Sequence, residues 1–241
     1  MMRLDKYLAQ AGVASRRSSK EIIAAGKITI NGEIVSEPGY YVKENDLVAY
    51  QGMKIEKEHL VYYLLNKPRG VISSVADEKG RKTVLDFLLE ADKQKRIFPV
   101  GRLDYDTAGA ILLTNDGQLT YLLTRPEYEV PKTYLARVEG LISRQAIKTL
   151  KQGVEIENYQ SRSTLVRVKE HNVQQKSSLV EIVLIEGKNQ QVKKMFEAVG
   201  YPVKSLTRIG FDFLTLKGIK RGSYRELKIH EVKKLYANKK K

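Results

Sequence analysis

The 241-residue sequence has no cysteine, no tryptophan and only three histidines. Without cysteine the chain can form no disulfide, no thiolate nucleophile and no cysteine-ligated zinc site. The histidines are scattered singly, so no metal site is expected from them. No apolar run is long enough to cross a bilayer. Acids and bases alternate through the first residues, which does not fit a signal peptide, and we expect a cytoplasmic protein with no membrane partner.

Acidic residues are in short supply. The chain has 43 Lys and Arg against 28 Asp and Glu, for a formal net charge of +15. Residues 1–59 hold 9 basic and 8 acidic side chains, which leaves +14 on the remainder. Such an excess favours a polyanionic partner, because each phosphate that is neutralised releases counterions. Charge alone is equally compatible with a basic protein that binds no nucleic acid.

The first fifty residues predict a compact unit of two short helices and a few strands. Apolar residues recur at helical spacing over residues 3–11, and Ser15 or Ser18 can cap a second helix. Asn31 and Gly32 stand between two β-rich stretches, which is a strong hairpin signal. A unit of this size is marginal alone and plausible as a recognition module.

Composition divides the rest of the chain. Residues 51–59 are polar and predict a linker, residues 60–232 form a larger strand-rich part, and residues 233–241 hold five lysines and predict a fraying tail. Four strands are predicted at 110–114, 133–139, 163–169 and 179–185, and helices at 83–91 and 189–200.

The densest group of polar residues is VGRLDYDTAGAILLTNDG at 100–117. Arg102, Asp104 and Asp106 alternate, so in an extended segment they would share one face. The small residues up to Gly109 predict a tight turn before the next strand.

The spacing of Asp104 and Asp106 leaves three interpretations open. The pair could belong to a solvated loop, could bind a divalent metal through its oxygens, or could supply a carboxylate nucleophile or base. Asp116 and Gly117 further along predict a plain turn without a catalytic role.

The predicted helix at 189–200 carries two candidate basic residues. Val192 and Phe196 fall on its apolar face, Lys193 lies at the edge of that face, and Lys194 lies further round. Both lysines could simply be solvated. Alternatively, one could reach inward and hold a carboxylate ionised, since a nearby positive charge lowers a carboxyl pKa.

Tyr134 stands in the strand-like segment YEVPKTYLARVEG at 128–140. Tyrosine favours strands, so a core or edge position would explain it. The functional alternative is a ring that stacks on an extruded base.

Four segments together resemble a known family over nearly the whole chain. Residues 3–35 look like the small αL RNA-binding module, NKPRGVISS at 66–74 looks like a first core motif, GRLDYDTAGAILLTNDG at 101–117 is similar to a catalytic motif, and residues 186–211 look like a C-terminal motif. In this order the chain resembles the bacterial RsuA/RluB-type pseudouridine synthases of ribosomal RNA.

The resemblance implies an α+β fold, with the αL module followed by a mixed, largely antiparallel sheet, flanking helices and an active cleft across its middle. It implies isomerisation of a uridine that leaves its stack, a reaction that needs no cofactor and no metal. KPRGVISSVADEKGRKTV at 67–84 resembles the large-subunit branch, which favours 23S rRNA near the peptidyl-transferase centre over 16S rRNA. The expected partner is rRNA or a ribosomal assembly intermediate, and the expected state is a monomer.

Two other classes remain open from the sequence. A non-catalytic rRNA-binding or assembly factor would use the same basic surface without the chemistry. A metal-dependent nucleotidyl or glycosyl transferase would use Asp104 and Asp106 as metal ligands.

The resemblance also assigns roles to individual residues. Asp104 matches the catalytic aspartate, and Arg102 matches an arginine that helps extrude the nucleotide and fills the gap it leaves. Tyr134 matches a tyrosine packed against the target base, and Lys193 matches the basic residue that pairs with the aspartate. Many relatives have arginine there, and lysine does not favour a bidentate pair. Asp106 matches no catalytic position.

In the N-terminal module, the resemblance and the local charge point to phosphate contacts. Arg3, Arg16, Arg17 and Lys27 are the expected contacts, and they would position the core on the RNA rather than read bases.

Overall fold

The structure, a computed structural model, describes residues 1–237, so the last four residues of the predicted tail lie outside the described residues. Among the described residues the N-terminal unit contains two helices and six short strands. In chain order they are β1 (Met2–Arg3), α1 (Leu4–Gln10), α2 (Arg16–Ala24), β2 (Ile28–Ile30), β3 (Glu33–Ile34), β4 (Tyr41–Val42), β5 (Val48–Tyr50) and β6 (Met53–Lys54).

The helices and the hairpin of this unit form where the sequence predicts them. The Ser15 hydroxyl accepts a hydrogen bond from the Ser18 amide at 3.0 Å and caps α2. Asn31 and Gly32 have φ values of 53° and 90°, the left-handed pair that a tight turn between β2 and β3 requires. Both predictions are confirmed.

Part of the predicted linker belongs to this N-terminal sheet. Within 51–59, β6 pairs antiparallel with β5, and Ile55 packs against the apolar core of the unit. Gln51 and Gly52, with φ values of 49° and 81°, form the turn between the two strands. The prediction of a plain linker misses this hairpin because its second strand is only two residues long and is flanked by polar residues. The other domain boundaries stay predictions.

The larger part of the chain is built on a nine-stranded sheet. Its strands, with a separate hairpin of β11 and β12, are β7 (Tyr62–Lys67), β8 (Phe98–Pro99), β9 (Ala108–Thr114), β10 (Lys132–Glu139), β11 (Val154–Ile156), β12 (Tyr159–Ser161), β13 (Leu165–Asn172), β14 (Ser177–Leu184), β15 (Val203–Phe211), β16 (Leu214–Thr215) and β17 (Tyr224–Glu226). The helices are α3 (Glu90–Lys93), α4 (Gly117–Thr124), α5 (Arg144–Gln152), α6 (Gln191–Ala198) and α7 (Ile229–Ala237), with 3₁₀ turns at Val84–Phe87 and Pro126–Tyr128.

One parallel pairing joins the two halves of this sheet. The strand order is β13-β14-β10-β15-β9-β7-β17, and β15 beside β9 is its parallel pair, whereas the other pairs along this order are antiparallel. Every residue of β9 is buried, because apolar clusters cover both faces. Ile111 contributes to one cluster and Leu112 to the other. The α+β architecture with a largely antiparallel sheet is therefore confirmed.

Two predictions near the C-terminal helix are wrong. Asp116 is not part of a plain turn, since its carboxylate caps α4 by accepting from the amides of Gln118 and Leu119 at 2.9 and 3.1 Å. The tail does not fray from residue 233, because α7 runs to Ala237. Its Tyr236 hydroxyl donates to the Asp116 carboxylate. A capping carboxylate thus also anchors the last helix.

The ion pair between Arg225 and Glu231 ties β17 to α7 and predicts an acid sensitivity. Two bonds of 2.7 Å join the groups, and with Arg225 as the largest cause they lower the pKa of Glu231 to about 2. A carboxyl pKa that is lower in the folded state adds stability above about pH 4.5, and this stability is lost as the pH falls towards 2. Glu231→Gln should therefore cost about 1 kcal/mol at pH 7, with the difference from wild type shrinking between pH 5 and 2.5.

Urea unfolding at several pH values measures this. Glu90→Gln is the matched control, because the carboxylate of Glu90 is 88% exposed in its pair with Lys93. A Glu231→Gln difference that stays constant down to pH 2.5 would contradict the assignment.

Candidate active site

A cavity of about 250 Å³ opens beside the parallel pair of β9 and β15. It is small next to ordinary ligand pockets of roughly 300–1,000 Å³. Five basic side chains and two acidic ones line it: Arg102, Arg125, Lys132, Lys188 and Arg208, with Asp104 and Glu186. The lining therefore favours an anionic ligand.

The segment that carries the aspartates is a loop. Residues 101–107 are irregular, and the Thr107 amide closes a turn on the Asp104 carbonyl at 3.1 Å. The prediction of one shared strand face is therefore wrong. Asp104 and Asp106 converge because of the turn, whereas Arg102 lies exposed at the rim of the cavity. Gly109 does not form the turn either, since it lies inside β9.

A buried lysine holds this loop in place. Lys67, at the end of β7, is fully buried, and its ammonium donates to the carbonyls of Pro68, Asp104 and Thr107 at 3.1, 3.1 and 2.8 Å. Each of the three N–H groups of the ammonium thus has a carbonyl acceptor. Burial lowers the pKa of Lys67 to about 8. Sequence reasoning missed this residue, although a lysine directly after an apolar strand and before a Pro-Arg-Gly break was the available signal.

Lys67→Met should destabilise the fold and slow any reaction at Asp104. Three carbonyls would lose their donor, and an unpaired buried polar group costs about 1–3 kcal/mol. We expect a loss of about 2–3 kcal/mol in unfolding free energy, together with slower turnover at a temperature where the variant is folded.

Thermal melting and single-turnover rates measure the two effects. Lys82→Met, at an exposed lysine of the following loop, should change neither. A Lys67→Met variant as stable and as active as Lys82→Met would show that the loop needs no such anchor.

Lys193 of α6 faces both aspartates. Its Nζ lies 3.3 Å from Asp104 Oδ2 and 2.6 Å from Asp106 Oδ1. Lys194 instead pairs with Glu157 at 2.6 Å. Burial alone would raise the pKa of Asp106, but the Lys193 ammonium brings it below its ordinary value. An ammonium between two carboxylates favours an ion-pair role for the Asp-x-Asp pattern.

The metal alternative finds no support from side-chain clustering. Within residues 1–237 no group of three or more His, Asp or Glu side chains is placed to hold a metal ion. The oxygens of Asp104 and Asp106 instead meet the Lys193 ammonium.

Tyr134 lines the same cavity as Asp104. It is 9% exposed, lines the cavity from β10, and interacts through its hydroxyl with Arg208 of the neighbouring strand. The structure therefore brings Asp104, Lys193 and Tyr134 together. Sequence reasoning missed Arg208, whose position in the middle of a strand gave no sign of a place in the cavity.

The predicted RNA contacts of the N-terminal module fall into two groups. Arg17 and Lys27 are exposed on its surface. Arg3 and Arg16 instead bind the buried carboxylate of Asp5, at 3.2 and 2.9 Å. Burial alone would raise the pKa of Asp5, but the two guanidinium groups lower it below its usual value. Any phosphate contact by Arg3 or Arg16 must therefore share the guanidinium with Asp5.

Comparison with known proteins identifies the family. The family described as RNA pseudouridylate synthase matches residues 61–198, which contain the loop of Asp104, and the S4 domain matches residues 2–48. The chain belongs to the RNA pseudouridylate synthase family. It is thus an enzyme that isomerises uridine in RNA, and it begins with an RNA-binding S4 domain.

Relatives align over almost the full length of this pseudouridine synthase. Ribosomal large subunit pseudouridine synthase B of Bacillus subtilis is 44% identical over 237 residues, covering 98% of this chain and 96% of the relative. An RNA pseudouridine synthase of Aquifex aeolicus is 37% identical, covering 98% and 94%. A crystal structure of a pseudouridylate synthase superposes with a TM-score of 0.67 at 27% identity, covering 98% and 100% of the two chains.

None of the helices within residues 1–237 has the length and apolar character that a membrane crossing requires.

Proposed function

We propose that this pseudouridine synthase modifies one specific uridine of 23S ribosomal RNA, near the peptidyl-transferase centre, with Asp104 as its essential carboxylate. The observation that carries the proposal is the position of Asp104. Its side chain is 31% exposed, lines the small basic cavity, and stands 3.3 Å from the Lys193 ammonium. The relative from Bacillus subtilis is named for the large ribosomal subunit, which supports 23S over 16S RNA.

The size of the cavity supports extrusion of the target nucleotide. A base inside a helix is sterically protected from a side chain, so chemistry on it requires that it leave the stack. The space beside Tyr134 accepts one nucleotide, and the tyrosine ring then packs against the freed base. Arg102, exposed at the rim, fills the gap that the extruded nucleotide leaves in the RNA.

The reaction exchanges one bond for another within the nucleoside. The bond between N1 and C1′ breaks, the uracil turns while still held, and C5 bonds to C1′. The hydrogen on C5 is lost and N1 gains one, so no electron or group is exchanged with a cofactor. Asp104 could add to the sugar, add to the base, or remove a sugar proton. Each route needs an ionised carboxylate beside the substrate, and the Lys193 ammonium favours that state.

The S4 domain docks the enzyme on ribosomal RNA or on an assembly intermediate in the cytoplasm, and the enzyme acts as a monomer. Arg17 and Lys27 are its exposed basic contacts, and they bind phosphate without reading sequence. Arg3 and Arg16 contribute from their places beside Asp5.

Replacing both Arg17 and Lys27 by alanine should weaken RNA binding and flatten its salt dependence. Each lost phosphate contact lowers the slope of log K against log salt by about 0.7 to 0.9. Binding titrations on rRNA fragments at several salt concentrations measure the slope. Lys43→Ala, at an exposed lysine outside this set, is the control. An unchanged slope in the double variant would contradict the docking role.

Mapping pseudouridine in rRNA from a strain that lacks this gene tests the proposal as a whole. One missing pseudouridine in 23S rRNA, restored by the wild-type gene, is the expected result. A missing site in 16S rRNA would overturn the choice of subunit. No missing site in either RNA would favour a binding or assembly role.

Activity of the purified enzyme on naked RNA should survive EDTA, and loss of that activity would favour a metal-dependent reaction.

A further inference from the structure

Arg208 is the largest fully buried side chain among residues 1–237, with 2% of its surface exposed. It lies on β15 at the centre of the sheet. Across the antiparallel pairing it stands directly opposite Tyr134 of β10, and across the parallel pairing it stands beside Gly109 of β9. Directly opposed side chains of antiparallel strands are neighbours on one face. The sheet therefore places the Arg208 side chain next to the tyrosine of the active site.

The hydrogen bonds of Arg208 leave part of its guanidinium unused. Nε donates to the Ala110 carbonyl at 2.7 Å, the group lies 4.9 Å from the centre of the Phe211 ring, and it interacts with the Tyr134 hydroxyl. A guanidinium offers five N–H donors in all. Its buried Nη2 has no hydrogen-bond partner in the described part of the chain. No carboxylate of residues 1–237 forms an ion pair with it.

A buried cation of this kind is unfavourable for folding. Removing a guanidinium from water is costly unless each of its N–H donors finds an acceptor. Well-packed apolar residues at such a position often give a more stable protein. Burial accordingly lowers the pKa of Arg208. Packing alone does not explain an arginine here, whereas a substrate acceptor bound by the unused N–H groups of the guanidinium would explain it.

The cavity supplies the place for such an acceptor. Arg208 lines it together with Asp104 and Tyr134. Because arginine only donates, it can meet a carbonyl oxygen but not an amino group. Uracil and cytosine both carry a carbonyl oxygen at position 2, but at position 4 uracil carries a carbonyl oxygen and cytosine an amino group. We infer that Arg208 donates to the carbonyl oxygen at position 4 of the extruded base and sets the preference of this site for uracil over cytosine.

The inference rests on the proposed extrusion of a uridine into this cavity, and exchanging single atoms of the RNA tests it. Full-length enzyme is given RNA that carries uridine, 2-thiouridine or 4-thiouridine at the mapped target, and product formation is followed under single turnover. Sulfur is a weaker acceptor than oxygen, so 4-thiouridine should slow wild type by roughly 10-fold or more, whereas 2-thiouridine should react within about 3-fold of uridine. A rate on 4-thiouridine equal to the rate on uridine, or a loss confined to 2-thiouridine, would overturn the inference.

Arg208→Lys provides the protein side of the test. Lysine keeps the positive charge but has a single nitrogen. It therefore cannot donate to the Ala110 carbonyl and to a substrate oxygen from separate nitrogen atoms, as arginine can. We expect the variant to slow on uridine by roughly 10- to 100-fold and to distinguish uridine from 4-thiouridine by less than about 3-fold. A variant that keeps the wild-type ratio would overturn the inference. Melting curves check its folding, and if it does not fold, the wild-type comparison alone decides.

The same RNAs separate this inference from the proposed function. Wild type that forms no pseudouridine in any of them removes the proposed function, and the role of Arg208 falls with it. Wild type that acts equally fast on uridine and on 4-thiouridine removes only the role of Arg208.

Discussion

Asp104→Asn is expected to reduce pseudouridine formation by at least about 10⁴-fold while leaving the fold intact. Asparagine has nearly the shape of aspartate but provides neither a negative charge nor a nucleophilic oxygen pair. The substitution should not leave the Lys193 ammonium without a carboxylate partner, because Lys193 keeps its 2.6 Å contact with Asp106. Carbodiimide labelling of the RNA under single turnover measures the product, and a melting curve within about 1 kcal/mol of wild type shows that the protein is folded.

Asp106→Asn is the matched control for this substitution. It removes the same charge two residues away and also affects Lys193, yet Asp106 does not line the cavity. We expect it to keep activity within about 10-fold of wild type, since Lys193 can then serve Asp104 alone. An active Asp104→Asn enzyme would remove Asp104 from its assigned role. Equal losses in the two variants would show that the charge of the pair, and not Asp104 itself, is required.

The parts of the fold that the sequence predicted depend on local chemistry. Ser15 caps its helix through an amide three residues away, and Asn31-Gly32 bends the chain within a single turn. The apolar spacing around Lys193 likewise fixed which face of α6 meets the core. These features are determined by residues only a few positions apart in the chain, so they can be predicted from a single sequence.

Most of the parts that the sequence did not predict depend on contacts between distant segments. The helix α5 is an exception, because its cap Ser143 is a local signal that the prediction did not use. The strand β15 was also not predicted. Lys67 and Arg208 were missed because a charged residue in or beside a strand normally faces water. Their burial follows only from the pairing of β7, β9 and β15, which no local pattern reveals.

The roles predicted for the candidate site residues follow from resemblance more than from spacing. From spacing alone Asp104 and Asp106 could have formed a metal site or a solvated loop. The alternation of polar residues also suggested a strand that does not form, because the Asp104 carbonyl is taken by the Thr107 amide and by Lys67. Which of the two aspartates faces the cavity is decided by that turn, and the turn is held by a residue from another strand.

Gly109→Ala is expected to destabilise the central sheet strongly, although it adds only one methyl group. A Cβ at position 109 would lie 2.1 Å from the Arg208 carbonyl oxygen and 2.6 Å from its amide nitrogen, both of which are backbone atoms. The φ of +116° is also unfavourable for alanine. Backbone within a sheet cannot move aside as a flexible side chain can, so the parallel pairing of β9 and β15 would have to open. We expect a loss of about 4 kcal/mol in unfolding free energy, which corresponds to roughly 10 °C in melting temperature.

Gly117→Ala is the matched control, because it adds the same methyl group eight residues along the chain. Gly117 opens α4, lacks a positive φ, and has no neighbouring atom within 4 Å of the place that an added methyl group would take. Alanine is the better helix former, so this variant should melt at or slightly above the wild-type temperature. Because Arg208 and Asp104 stand on either side of the opened pairing, Gly109→Ala should also lose activity below its melting temperature. A Gly109→Ala protein that melts with Gly117→Ala would mean that β9 and β15 do not approach as closely as this register requires.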